Sequence, residues 1–175
     1  GMRTNLFNEF NNNKPQTSII TQSNIIDTAT VPAGFYDGYD MVIFGGAAFN
    51  TIHTNHWLAL KNAIINKTSR SFVLEVDNCC TASNRTQLVD LYNAVYGTSI
   101  SSEATRIELY NDTYTINPSN SYSQLFTSST LSGGIYYPLN NLPSADILYS
   151  SSGDTTKAFA GIKQLPGTTD KNRFL

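Results

Sequence analysis

The stretch "FVLEVDNCC" (72–80) ends in Cys79 and Cys80, the only two cysteines of the chain. His53 and His56, its only two histidines, stand upstream, and Asp77 lies between the histidines and the thiols. Cysteine chemistry requires a thiolate, and a nearby imidazole or a helix N-terminus lowers the thiol pKa. A thiol with a histidine base can run nucleophilic catalysis. Cys79, Cys80, His53, His56 and Asp77 therefore form the candidate catalytic set. Three other readings of the cysteines stay open. They can be small buried residues without chemistry, a vicinal disulfide that strains the peptide between them, or metal ligands. No metal is expected, because adjacent cysteines do not match the two-residue separation usual for zinc. The plain reading of the histidines is one loop residue and one first-turn helix residue, both facing solvent.

These residues would be placed by a strand–helix–strand–helix unit. "YDMVIFGG" (39–46) holds four consecutive apolar residues closed by a glycine pair, the pattern of a buried parallel strand. "TNHWLALKNAIINK" (54–67) sets Trp57, Leu60 and Ile64 on one helical stripe, with Leu58 and Ile65 beside it and Thr54 or Asn55 as N-cap. "SFVLEV" (71–76) is a second strand. "NRTQLVDLYNAVYG" (84–97) spaces Leu88, Leu91, Tyr92 and Val95 as a helix, with Asn84 as cap, Gln87 at the N3 position and Gly97 as the stop. Such a βαβα unit implies a parallel sheet.

In an open α/β sheet, ligands collect outside the carboxyl ends of the strands. The loops 45–56 and 77–84 fall there and bring His53, His56, Asp77, Cys79 and Cys80 to one rim. Gly45, Gly46, Asn50, Asn78 and Thr81 complete it as the expected ligand-binding edge. The glycine pair is neither a GxGxxG nor a Walker loop, so no nucleotide and no other cofactor is expected. Glu75 falls on the face of Val73 and Asp77, where a carboxylate needs a partner. Arg70, Arg106 and Lys61 are the cations that could supply one.

Beyond Gly97 the texture changes. Short β-like pieces at 105–110, 114–116, 135–137, 147–150 and 159–164 are separated by turn signals, with no strong helix, repeat or linker. "TSIITQ" (17–22) and "NIIDTATV" (24–31) read as further strands. The aromatic stretches "YNDTY" (110–114) and "IYYPLNN" (135–141) can stack against sugars or peptides, although tyrosine is also a good strand residue. The expectation is one α/β domain over residues 1–175, three-layered and flavodoxin-like or Rossmann-like, with a mostly parallel sheet. An antiparallel, loop-rich second half is added to it, 1–16 is a polar lead-in and 166–175 a peripheral tail.

Composition bounds the partners. The net charge is −2 and only 14% of residues are charged, against a usual value of about 25%. Eleven scattered Lys and Arg residues cannot build the dense basic patch that nucleic-acid binding needs. No apolar run approaches the roughly 18 residues of a membrane span. Asn, Ser and Thr carry the solubility, a composition common in secreted or surface bacterial proteins. Gly1-Met2-Arg3 reads as a cleavage remnant before an initiator methionine, and Met2 to Pro15 holds no apolar signal-peptide core.

The block "YDMVIFGG…HWLALKNAI…SFVLEVDN" resembles class I glutamine amidotransferase-like, flavodoxin-related domains over 50 to 60 residues. Active members of that family hold their nucleophile in a Gly-x-Cys-x-Gly elbow, and this chain has none, so the activity does not carry over. "SFVLEVDNCC" with "YYPLNNLPSADILY" is similar to uncharacterised bacterial surface or secreted domains. "MVIFGG…H…FVLEVDNC" also resembles caspase-like cysteine peptidases in the order His, strand, Cys. That likeness implies Cys79 as nucleophile, His53 or His56 as base, and Gly45 and Gly46 in the oxyanion region. The family's histidine directly follows its strand, whereas here Gly-Gly does. The combined expectation is a non-catalytic binding module for a glycan, peptide or other surface ligand, the alternative being a cysteine hydrolase.

Overall fold

The computed structural model describes residues 30–45, 52–75, 82–108, 113–132 and 134–168. The run expected as a strand at 17–22 lies outside these residues, as does the one at 24–31 except for Thr30 and Val31, which are not in a strand.

The βαβα order is present. Strand β1 (Met41–Gly45), helix α1 (Thr54–Asn66), strand β2 (Ser71–Glu75) and helix α2 (Ala82–Tyr96) follow one another. β1 and β2 pair in parallel, with Val42 beside Phe72, Ile43 beside Val73 and Phe44 beside Leu74. Alternation sends Val42, Phe44 and Phe72 inward, where all three are buried. They meet Trp57, Leu60 and Ile64 of α1 and Leu91 of α2 in one cluster. Burying each such side chain contributes about 1.5–3 kcal/mol. The expected stripe of α1 is therefore the buried one, while Leu58 and Ile65 beside it are exposed. Met41, Ile43 and Val73 are also exposed.

Backbone chemistry sets the ends of these elements. Lys67 takes a left-handed conformation (φ 55°) and its N–H reaches the Ala63 and Ile64 carbonyls, closing α1. Gly97 (φ 64°) donates to the Asn93 carbonyl at 2.8 Å, the stop its position predicts. The cap assignments shift. His53, not Thr54 or Asn55, caps α1, and Asn84 lies inside α2 because that helix begins at Ala82. The chain enters β1 through a clamp: the Ser69 hydroxyl donates to the Tyr36 carbonyl at 2.7 Å and accepts from the Tyr39 N–H at 2.9 Å.

The expected three-layer, mostly parallel flavodoxin-like sheet is not what the chain builds. Parallel pairing among the described residues stops at β1 and β2. The largest sheet is antiparallel and six-stranded, made of β3 (Ser101–Ser102), β5 (Thr113–Ile116), β6 (Thr130–Ser132), β8 (Leu139–Asn140), β9 (Ile147–Ser151) and β10 (Ala158–Gly161). Their spatial order is β3-β8-β10-β9-β5-β6. A separate antiparallel pair joins β4 (Ile107–Glu108) to β7 (Ile135–Tyr136). The physical reason is connection length. Parallel strands need a crossover of a dozen or more residues, usually an α-helix, and after α2 most successive strands are joined by short turns with no α-helix between them. What reads as an appendage to a parallel sheet is the larger sheet of the molecule.

α2 joins the two sheets. Its Leu88, Leu91 and Val95 belong to the cluster over β1 and β2, while Val89 and Tyr92 pack on Ile100, Leu142, Ile147 and Ala158. β9 lies inside the sheet between β10 and β5, and all five of its residues are buried. Phe159 falls at a register shift in β10, the mark of a bulge that re-aims a side chain.

Candidate functional site

Of the two loops expected at one rim, Gly45 and 52–56 of the first and 82–84 of the second are described. The Ile52 N–H, at the exit of the first loop, donates to Asn84 Oδ1 at 2.9 Å. Asn84 is fully buried and Ile52 nearly so. A side-chain amide in the first turns of α2 thus fastens the approach to α1. Sequence reading assigned Asn84 a capping role; the helix starting two residues earlier turns it into a tether.

His53 and His56 take different places. His53 is half-buried and its Nδ1 accepts from the Asn55 N–H at 3.2 Å, the capping bond of α1. His56 is 1% exposed, which overturns the reading of a solvent-facing first-turn residue. Its Nδ1 is 2.9 Å from the Tyr36 hydroxyl, and Nε2 is also buried. The ring stands edge-on to Phe35 and Tyr36, and Phe44 packs on both Tyr36 and Trp57. Burial holds the Tyr36 phenol well above the ordinary tyrosine pKa, so the hydroxyl stays protonated in this nest.

Gly45 is the last residue of β1, paired with Glu75. Cys79, Cys80, Asp77, Asn78, Thr81, Gly46 and Asn50 lie outside the described residues, as does the Glu75 side chain. Of the cations expected near Glu75, Arg106 instead pairs with Glu108 at 2.7 Å. Among the described residues no group of three or more His, Cys, Asp or Glu is placed to hold a metal ion. No helix among them is long and apolar enough to cross a membrane.

Two open clefts flank α2. One, of about 200 Å³, runs between α2 and β3, with Arg85, Thr86, Ser101 and Glu103 in its wall. Its charges are engaged: Arg85 sits 3.7 Å over the Tyr137 ring, and Glu103 accepts from Lys157 at 2.5 Å. The other, of about 170 Å³, separates α1 from α2 and is lined by Thr54, Trp57, Leu58, Lys61, Gln87 and Asp90, together with Leu91. Trp57 reads from its helical spacing as core, and Lys61, Gln87 and Asp90 form no motif in the sequence. The helical spacing that places Lys61 one turn beyond Trp57 was the available signal.

The aromatic stretches are largely committed to packing. Tyr114 is buried, stacks on Phe159 at 4.1 Å and meets the edge of Tyr136 at 5.0 Å.

The fold and site define a mixed chain in which a parallel βαβα unit leans on an antiparallel sheet through one shared helix. No family model, curated protein or solved structure matches this chain.

Proposed function

We propose that this chain is a non-catalytic binding or surface-interaction module that meets a glycan, peptide or other surface ligand at the rim of residues 46–56 and 77–84. The observation that carries the reading is the burial of His56 with its Nδ1 engaged by Tyr36. A general base must come within hydrogen-bond reach of the proton it takes, and a buried ring packed edge-on against Phe35 and Tyr36 serves the core instead. His53 has its own structural bond, to the Asn55 N–H. Both imidazoles on which a cysteine hydrolase would depend thus have roles in holding α1 in place.

The test is the rate of iodoacetamide alkylation of Cys79 and Cys80 as a function of pH, on the folded chain with and without reductant. The expected outcome is no thiol that reacts with a pKa well below the free value of about 8.5, and rates unchanged in His53→Ala. A fast-alkylating thiol with a depressed pKa that rises in His53→Ala replaces this reading with the cysteine hydrolase.

A further inference from the structure

Three side chains converge where β3, β8 and β10 lie side by side. Asn140 ends β8, Lys157 directly precedes β10 and Glu103 directly follows β3. The antiparallel register that sets Ala158 against Leu139 brings Lys157 opposite Asn140. Lys157 Nζ donates to Asn140 Oδ1 at 3.0 Å and to Glu103 Oε2 at 2.5 Å. Asn140 Nδ2 donates to the same Glu103 oxygen at 3.4 Å. An ion pair needs only the lysine and the glutamate. Here the amine also touches an amide carbonyl, and the nitrogen of that amide touches the same carboxylate. Every group for amide exchange is therefore present: a nucleophile, a carbonyl to attack, and a carboxylate able to carry protons from the attacking to the departing nitrogen. Hydrogen bonds from Lys157 and then Asn140 hold the Glu103 carboxyl below the usual glutamate range, so at neutral pH it is a proton acceptor. The sheet around these residues has small buried apolar clusters, of four and three side chains. Both cysteines of the chain lie before α2, so no disulfide can staple that sheet.

We propose that Lys157 and Asn140 join in an intramolecular isopeptide bond, with Glu103 as the proton relay. Asn140 first turns about its Cβ–Cγ bond, a soft torsion, and presents Cγ to Nζ. The Lys157 ammonium passes a proton to the Glu103 carboxylate, and the freed Nζ lone pair attacks Cγ. As the tetrahedral centre collapses, the Cγ–Nδ2 bond breaks and its electron pair stays with Nδ2. Nζ gives up two protons in all, both reach Nδ2 through Glu103, and Nδ2 departs as ammonium. Glu103 ends as a carboxylate, charge is conserved, and no oxidant or co-reactant is consumed. Strand pairing holds the two reacting groups together, which makes the step effectively unimolecular. The bond forms once per chain, so a slow step suffices. The Lys157 and Glu103 side chains, 27% and 30% exposed, leave the ammonium an opening to solvent. The ion-paired chain is the reactant. The product ties β8 to β10 and restricts the unfolded chain as a disulfide does. It forms whether or not the rim of residues 46–56 and 77–84 holds a ligand.

Intact-mass spectrometry of the purified full chain, kept folded at neutral pH for days, is the test. The expected result is a product lighter than the sequence mass by one ammonia. Chymotrypsin cuts between Asn140 and Lys157, at Leu148 or Tyr149, and should release the two segments as one branched peptide. Lys157→Arg keeps the positive charge and Asn140→Ala removes the carbonyl; both should stay at full mass. Glu103→Gln should slow the loss about a hundredfold or more, the lower end for general acid–base catalysis. Lys163→Arg, in the ion pair with Asp146, should react like the wild type. Full mass in a wild-type chain that far-UV circular dichroism shows to be folded overturns the proposal. So does an ammonia loss that persists in Lys157→Arg, which marks a succinimide at an asparagine instead, or an equal rate in Glu103→Gln. Should a variant fail to fold, the wild-type mass and the branched peptide decide without it. None of these results touches the non-catalytic reading of the rim, which stands or falls on thiol reactivity.

Discussion

Around β1 and β2, the buried apolar cluster of the described residues holds eleven side chains, among them Phe44, Trp57, Leu60, Ile64 and Phe72. Across α2, the antiparallel sheet divides its buried apolar residues between a cluster of four and a cluster of three. The second region makes up the difference with amides. Asn120, 2% exposed, donates from Nδ2 to the Ala145 carbonyl at 2.9 Å and accepts the Tyr122 N–H at 2.9 Å. Asn117 reaches the Ser144 and Ile147 carbonyls at 2.7 and 3.1 Å. Asn93 accepts the Ile100 N–H at 2.9 Å and donates to its carbonyl at 3.0 Å. Strands of two to five residues leave many turn carbonyls and N–H groups to satisfy, and a buried polar group must be satisfied. The Asn-rich, charge-poor composition thus has a structural use: side-chain amides bracket the turns of a sheet too finely divided to rest on core volume.

The sharpest way to break this comparison is truncation of one large side chain in each region. Phe72→Ala removes a ring 1% exposed at the centre of the larger cluster, and an expected loss of about 3–5 kcal/mol follows from lost transfer energy plus the cavity left behind. Leu142→Ala, in the four-residue cluster and 7% exposed, should cost about 2–3 kcal/mol, at the lower end for that substitution. Urea denaturation followed by far-UV circular dichroism measures both. Equal losses would mean that the two regions depend on core volume alike.

The amide side of the comparison predicts the next largest effect. Asn120→Ala deletes two hydrogen bonds and strands the Tyr122 N–H and the Ala145 carbonyl, for an expected loss of about 2–3 kcal/mol. Asn120→Asp keeps an acceptor for Tyr122 while losing the donor to Ala145, so it should recover part of that loss at neutral pH. The same urea transitions decide it. A loss under about 0.5 kcal/mol in Asn120→Ala would show the bracket to be dispensable.

The unequal architecture also explains what could be read from the chain. β1, α1, β2 and α2 were legible because each carries a sustained period: "MVIF" as a buried strand, and Trp57, Leu60 and Ile64 as a helical stripe. The antiparallel pieces at 114–116, 135–137 and 147–150 were found for their apolar centres, and the structure draws them as Thr113–Ile116, Ile135–Tyr136 and Ile147–Ser151. β3, β6 and β8 are too short and too polar to show a period, and without them the antiparallel sheet looked like an appendage. That is why the layer count failed. At the site, the tether between the two loops followed no motif, since Asn84 gains its role from a helix that starts earlier than the cap rule implies. The burial of His56 was equally hidden, because its partner Tyr36 lies in a turn segment twenty residues upstream.

The smallest effect concerns charge, and it separates the regions most cleanly. All three ion pairs of the described residues lie after α2: Arg106 with Glu108, Lys157 with Glu103, and Lys163 with Asp146. The hydrogen bond from Lys157, and after it the one from Asn140, holds the Glu103 carboxyl below the usual glutamate range. A carboxyl whose folded pKa is depressed stabilises the fold above its unfolded value, about 4.3 for glutamate, and that stabilisation fades as pH falls through the lower folded value. Near β1 a group sensitive in the opposite direction is Tyr36, whose pKa is raised by burial. Its contribution is complete below the ordinary tyrosine value of about 10 and is lost as pH rises beyond it. Glu103→Gln should therefore lower the urea midpoint slightly at pH 7, with the gap to wild type closing as pH falls below about 4. Tyr36→Phe should leave the acid limb untouched and flatten the alkaline one. High salt should shrink the Glu103 difference, because the pair is only partly shielded from solvent. An acid limb unchanged by Glu103→Gln would mean that the Lys157 network adds nothing to the antiparallel sheet beyond its amides.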